Sequence, residues 1–374
     1  MPSKIRIGVI FGGRSSEHQV SLVSAASVMH ALPPDRYEVV PIGITPDGRW
    51  ISSASVLDLL KGGGVPATQP EHTLLPEPGR QGLIGAGSGV SDPIRLDVIF
   101  PVLHGTFGED GTMQGLLELA DIPYVGAGVL GSAVGMDKIV QKQLFEQAAI
   151  PVPRYCWFYS SAVKEAPRKA VAVVERRLRY PVFVKPANTG SSVGISKAHD
   201  RKEMLRAFED AVQYDRKVII EQGIPDVREI EVSVLGNDDP EASVPGEIIP
   251  SNEFYDYDAK YVDGKSTAVI PAKVPRASAQ KVREYAVRAY RAIDCAGMAR
   301  ADFLMARRTG RIYLNELNTI PGFTAISMYP KLWEASGLSY PDLLDRLIQL
   351  AIERHRQTRS LRRTYNPSRA WYQS

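Results

Sequence analysis

The alternation of apolar and polar positions opens with IRIGVIF, a run that is apolar apart from Arg6, ends in Gly12-Gly13 and reads as a buried β-strand. SSEHQVSLVSAASVMHAL follows with serine caps and apolar residues at helical spacing, so the chain starts as strand, turn and helix. EVVPIGIT and DVIFPVLH repeat the strand signature, GTFGEDGT is a loop, MQGLLELA a helix and IPYVGAG a further strand, which is the order of a parallel α/β sheet. Between them, residues 61–93 are dense in Gly and Pro and predict a surface insertion with room for one short hairpin. This first unit, residues 1–136, ends near Met136.

From Asp137 the texture changes. DKIVQKQLFEQA reads as helix, RYCWFY as strand, APRKAVAVVERRL as helix, YPVFVKP as strand, EMLRAFEDAVQY as helix and KVIIEQG as strand, a compact α+β unit over residues 137–226. A third unit, 227–374, begins with REIEVSVLG and runs through EIIPSNEFYDYDAKYVDGKSTAVIPAKV to two strands, MARADFLMA and RIYLNEL, with the helix YPDLLDRLIQLAIERHR after them. No internal repeat is visible.

A chain of 374 residues suits two or three domains, and its 44% hydrophobic and 23% charged content is that of a folded protein rather than a disordered one. The net charge of +3 is too slight to imply a nucleic-acid partner. The basic stretch ERHRQTRSLRRTYNPSR reads as a solvated helix end running into a tail. Two cysteines, Cys156 and Cys295, lie far apart without metal-ligand spacing, so core thiols in a reduced compartment are expected. The apolar run in MPSKIRIGVIFGG is too short for a signal peptide, and no run approaches the roughly 20 residues of a membrane span. A cytoplasmic protein with no membrane partner is the expectation.

Two nucleotide motifs fail. Gly264-Lys265-Ser266 lacks the earlier P-loop glycine, since position 259 is Ala259, and FGGRSSE lacks the dinucleotide spacing. KPANTGSSVG suggests another mode: Lys185 closes a strand, Gly190 and Gly194 leave backbone N–H groups able to close over an anion, and Ser191 and Ser192 add hydroxyl donors. The same loop would equally serve as a Gly/Ser hairpin turn. In MARADFLMARRTGRIYLNELNTIPG two strands flank an RRTG turn, bringing Asp302 within about a residue of Glu316, with Arg300 and Asn318 on the same face by period-2 alternation. Two carboxylates and an amide suit Mg²⁺, which keeps phosphate oxygens in its shell. Alternatively, Arg300 neutralises one carboxylate in a surface salt bridge.

A lysine-ended strand, a Gly/Ser loop, an acidic strand end at Ile220-Glu221-Gln222 and the D…E-x-N hairpin together resemble the ATP-grasp superfamily. Within it, GGRSSEHQVSLVSA, HGTFGEDGTMQG, MDK, KPANTGSSVG, EFYDYDAKY, ARADF and NELNTIPGFTAIS occur in an order similar to the D-alanine:D-alanine ligase family, over about residues 5 to 352. The resemblance implies a three-domain ATP-grasp architecture, α/β and α+β, with an N-terminal parallel α/β (pre-ATP-grasp) domain. It implies ATP-dependent ligation of two D-alanines through an acyl phosphate, with two Mg²⁺ ions or Mn²⁺ in their place, in a homodimer.

The resemblance also implies roles. Lys138 and Lys185 reach the phosphates, Ser191 and Ser192 lie over them, Glu221 and Ile224 meet adenine, Glu229 the ribose, and Phe254 borders the nucleotide. Asp302, Glu316 and Asn318 hold the metals, while Arg300 and the Gly322 N–H face the oxyanion. Glu17 anchors the ammonium of the first D-alanine, beside His104; without the resemblance, Glu17 reads as a first-turn helix acid and His104 as a core histidine. Lys260, placed by the resemblance in the nucleotide site as well, joins Ser327 on the second D-alanine's carboxylate, and Met328 forms an apolar wall. Tyr261, Ser191 and Glu17 form a trio tying a mobile loop, 252–270, to the first domain. The intact Lys260-Tyr261 pair favours an amine over a hydroxy acid as second substrate. A D-alanine:D-lactate or D-alanine:D-serine ligase is the alternative enzyme. A nucleotide-binding regulator without turnover would leave gaps among the lysines or metal ligands, and the matched positions have none.

Overall fold

The computed structural model describes residues 4–86, 93–190, 193–249, 267–324, 326–362, 364 and 365. Ser191, Ser192, Phe254, Lys260, Tyr261 and most of the 252–270 loop lie outside them. The chain runs β1 (Ile5–Gly12), α1 (His18–Ala31), β2 (Tyr37–Ile44), β3 (Trp50–Ile51), α2 (Val56–Lys61), β4 (His72–Leu74), β5 (Gly82–Gly85), β6 (Ile94–Arg95), β7 (Val98–Val102), α3 (Thr112–Leu119) and α4 (Val129–Met136). Next come α5 (Lys138–Gln147), β8 (Tyr155–Tyr159), α6 (Ser160–Glu165), α7 (Pro167–Arg177), β9 (Val182–Pro186), β10 (Ser196–Ala198), α8 (Arg201–Ala211) and β11 (Lys217–Gln222). The remainder is β12 (Val227–Gly236), β13 (Glu241–Ala242), β14 (Gly246–Ile249), β15 (Thr267–Val269), α9 (Arg276–Ala292), β16 (Gly297–Ala306), β17 (Ile312–Asn318), α10 (Met328–Ala335) and α11 (Tyr340–Arg359).

β1 pairs in parallel with β2 and with β7, and β3 adds an antiparallel edge. Both faces of β1 are covered beyond Arg6, which is why its sequence from Ile7 to Phe11 is apolar instead of alternating. Ile7, Val9 and Phe11 pack with Leu22 of α1 and with Leu343, Leu344 and Leu347 of α11, while Ile10 points into a second cluster with Ile42, Ile44 and Leu117. α11 thus returns from the end of the chain to close the first sheet, and its Arg354 donates hydrogen bonds to the Gly126 and Tyr124 carbonyls.

The second sheet, antiparallel in the order β10-β9-β11-β8, buries Val184, Val218 and Ile220 against α7 and α8. Its period-2 alternation turns Lys185, Ile219 and Glu221 to the other face, where Lys185 stands opposite Ile219 in the ladder. The third sheet, β15-β14-β12-β16-β17 with β13 beside β12, packs Val232, Ala299, Ala301, Phe303, Leu314 and Leu317 against α9. Its opposite face carries Arg300 and Asp302.

Three expectations change. IPYVGAG makes only a one-residue parallel bridge, Tyr124 to Ile99, because Gly126 turns out of extended geometry at φ 99°. RASAQKVREYAVRAYRA, not among the expected helices, forms α9, and its buried Val282, Tyr285, Ala286, Ala289 and Tyr290 carry helical spacing. Residues 61–93 hold the expected hairpin, β4 and β5, but not as a mere surface insertion: β6 just beyond it extends the pair to a small antiparallel sheet, and Leu74 and Leu83 are buried in the cluster around Ile10 and Ile42. Leu83→Ala is therefore expected to cost about 2–4 kcal/mol, read as a lower urea midpoint; a loosely attached surface segment would change stability by less than about 0.5 kcal/mol.

Candidate active site

The C-terminal ends of β1 and β7, the start of α5, the loop after β9 and the polar face of the β16-β17 hairpin converge on one cleft. Crevices at strand C-termini are the usual ligand positions of parallel sheets. Its open space is about 790 Å³, solvent at the mouth included. Glu17, His104, Lys138, Gly190, Arg300, Glu316, Asn318 and Gly322 line it, so segments some 300 residues apart in sequence meet there.

At the first sheet's end, Glu17 and His104 are both buried. His104 Nε2 lies 3.2 Å from Ser24 Oγ, and burial lowers its pKa against the opposing pull of Glu17, leaving a neutral imidazole at pH 7. Glu109, not among the expected site residues, also lines the cleft and accepts from the Gly105 N–H at 2.7 Å. Burial first, and then the negative charge of Glu17, raise its pKa well above the carboxylate range. The Gly/Ser loop comes down on this acidic corner: a Cβ added at Gly190 would stand 2.3 Å from Glu17 Oε2, so any larger residue there would displace the Glu17 carboxylate. The root of the loop is pinned by Asp215, whose Oδ2 accepts from Asn188 N (2.7 Å) and Nδ2 (2.8 Å).

The cationic side is built on α5. Asp137 caps the helix by accepting from the Ile139 and Val140 amides, and it pairs with Lys217. The next residue, Lys138, donates from Nζ to the Thr189 carbonyl at 2.6 Å, joining the helix start to the loop. Below, Glu221 is clasped by two lysines: Lys185 Nζ at 2.8 Å and Lys142 Nζ at 3.1 Å. Desolvation on burial works against its charge, yet the two lysines together outweigh it and hold Glu221 down at about 2. Lys142 was not anticipated; its spacing of four from Lys138 on one helix face was the available signal.

In the hairpin, Asp302 stands directly opposite Glu316, and Arg300 opposite Asn318. Arg300 Nε and Nη2 donate to Asp302 Oδ1 and Oδ2, both at 2.7 Å, and Nε is also 3.0 Å from Glu231 Oε2. Asn318 Nδ2 donates to Asp302 Oδ2 at 2.9 Å. The Arg300 pair is therefore largely buried within the site and is not a surface salt bridge. Among the described residues no three His, Cys, Asp or Glu side chains form a metal cage. Two carboxylates plus an amide remain a fitting hard-oxygen set for Mg²⁺, which fills the rest of its shell with water and phosphate oxygens.

Ser327 sits against Gly322, where a Cβ would lie 2.8 Å from its Oγ, and that Oγ accepts from the Thr324 N–H at 3.0 Å. Met328 does not join the cleft lining; it is buried with Ile248 and Leu332, because the first turn of α10 points it beneath the third sheet. Ile224 and Glu229 are half-buried around the end of β11 and the start of β12, and the Glu229 charge acts on Lys185.

Residues 6–127 match the family model described as D-ala D-ala ligase N-terminus, and residues 144–349 match D-ala D-ala ligase C-terminus. The chain is 53% identical over 354 residues to the D-alanine–D-alanine ligase of Heliobacterium modesticaldum, covering 95% of this chain and 96% of that one. It is 52% identical over 360 residues to that of Thermoanaerobacter sp. strain X514, covering 95% and 98%. Among solved structures, VanG D-Ala:D-Ser ligase from Enterococcus faecalis superposes with TM-score 0.82 at 36% identity, covering 93% of this chain and 100% of the other. The D-alanine-D-alanine ligase from Coxiella burnetii superposes with TM-score 0.80 at 35% identity, covering 96% of each.

The Glu221 cluster has a measurable pH signature. Its carboxyl titrates near 2 folded against 4.5 as an ordinary glutamate, so its contribution is complete above about 4.5 and is lost as pH falls toward 2. Glu221→Gln is expected to lower stability at pH 7 by about 3–5 kcal/mol, as when a buried pair loses one partner. It should also flatten the fall of the denaturant midpoint between pH 4.5 and 2.

Proposed function

This chain belongs to the D-alanine–D-alanine ligase family of ATP-grasp enzymes and makes D-alanyl-D-alanine for peptidoglycan synthesis, and we propose that its cleft divides the work as follows. The carboxylate of one D-alanine takes the γ-phosphoryl group of ATP, giving an acyl phosphate and ADP. The amine of a second D-alanine then attacks the carbonyl carbon, and phosphate leaves. Glu17, beside the neutral His104, holds the ammonium of the first D-alanine. Lys138 and Lys185 bear on the phosphates, with Ser191 and Ser192 over them, in a site that the loop screens from water. Glu221 and Ile224 border the adenine, Glu229 the ribose, and Phe254 the nucleotide's edge.

Asp302, Glu316 and Asn318 would hold Mg²⁺, two ions or Mn²⁺ in their place, whose charge offsets that on the phosphoryl oxygens. Arg300 keeps its place between Asp302 and Glu231 and, with the Gly322 N–H, faces the oxyanion of the second step. Losing one such donor typically costs about 10² to 10³ in rate. Lys260 and Ser327 take the carboxylate of the second D-alanine, and Tyr261 ties its loop to Glu17 and Ser191. Three units, 1–136, 137–226 and 227–374, and a homodimer complete the reading. No described helix is long and apolar enough to cross a membrane.

The observation that carries these assignments is the single cleft in which Glu17, Lys138, Arg300, Glu316 and Gly322 meet. Phosphate release with ATP, Mg²⁺ and D-alanine, with product mass, tests the reaction. Parallel assays adding D-serine or D-lactate ask whether the second site takes either, the first being the substrate that VanG carries in its description. Release no higher than with ATP alone would overturn the assignment. Glu316→Ala is expected to lower turnover by more than about 100-fold, beyond the typical cost of losing an outer partner of a metal ligand, with little change in melting temperature. Equal loss of both would make Glu316 a structural carboxylate.

A further inference from the structure

We propose that Lys142, with Gln141 beside it, is a positioning residue that latches a β-bulge in β17 and thereby turns Glu316 toward the cleft. In a regular strand, residues two apart share a face, so Glu316 would follow Leu314 into the core. The ladder avoids this by a register shift: Asp302 pairs with Glu316, but the next residue, Phe303, pairs with Leu314. Asn315 is the extra residue, and the bulge sends Leu314 and Leu317 to the core while Glu316 lines the cleft. Bulges re-aim side chains in this way, and they leave ladder groups without strand partners.

β17 is also the last strand of its sheet, so its outer backbone groups need partners from elsewhere. α5 supplies them on both sides of Glu316. Lys142 Nζ donates to the Asn315 carbonyl at 2.6 Å, and Gln141 Oε1 accepts from the Leu317 N–H at 3.0 Å. Gln141 is itself fixed by donating to the Gly135 carbonyl at 2.8 Å. A fully buried ammonium is costly unless paired, and here the pair is Glu221, which also holds Lys185. The same lysine thus spans from the acidic strand end of the second sheet to the backbone beside Glu316 in the third. Neither the matched motifs nor the assigned roles give Lys142 or Gln141 a task.

The inference rests on the reading of Glu316 as a metal ligand, and its test separates the two. ADP affinity is measured by calorimetry with and without Mg²⁺ for the wild type, Lys142→Met and Gln141→Leu, alongside melting temperature and kcat. The Mg²⁺-dependent gain in ADP affinity is expected to shrink by about tenfold in each variant, the lower end of what outer partners of metal ligands contribute, and kcat is expected to fall with it. Gln141→Leu leaves the Glu221 cluster intact, so it carries the test alone if Lys142→Met does not fold. Variants that melt earlier yet keep the wild-type gain overturn the latch and leave a structural role only. A wild type whose ADP affinity ignores Mg²⁺ overturns the metal reading, and the latch with it.

Discussion

Burying charge beneath the cleft is the constraint on which the rest of the structure depends. An ammonium or carboxylate taken out of water alone is prohibitive, so each buried charge must meet an opposite one in a geometry that also satisfies its remaining hydrogen bonds. Lys142, Glu221 and Lys185 meet that condition together: one carboxylate faces two lysines, and the second bond of Lys142 goes to a backbone carbonyl. Those partners come from α5, β11, β9 and β17, so the cluster can form only when the second and third sheets stand in one relation to each other. A requirement of electrostatics thereby becomes a requirement of geometry.

α5 is where the consequences gather. Its first residue Lys138 holds the base of the Gly/Ser loop, and its second turn holds both sides of Glu316. A rigid helix between Lys138, for which we propose the phosphate role, and the hairpin's carboxylates keeps the two at fixed separation, which is the kind of support that catalytic placement needs. On the far side, Glu17 and Glu109 share a buried corner. There the desolvation of Glu109 and the negative charge of Glu17 push the Glu109 carboxyl well above the carboxylate range.

Much of this was legible beforehand. The apolar run of β1, the alternation in β16 and β17, and the glycine and serine spacing after Lys185 are local signals, and local sterics and periodicity suffice to read them. The elements that were misjudged have equally physical reasons. IPYVGAG looks like a strand, but Gly126 breaks the extension after a single bridge. Leu74 and Leu83 lie in a segment whose Gly and Pro content hides that both side chains reach the core of the first unit. Lys142 reads as a solvated helix lysine until the strand that buries it is in place.

The sequence by itself determined which residues can do chemistry and which strand faces they occupy: Asp302 opposite Glu316, Arg300 beside one and Asn318 beside the other. It did not determine the bulge at Asn315, since a regular hairpin of the same residues would put Leu314 and Glu316 on one face. That choice belongs to tertiary structure, because the extra residue becomes stable only when a buried lysine from a different unit takes its carbonyl and a carboxylate from a third strand neutralises that lysine.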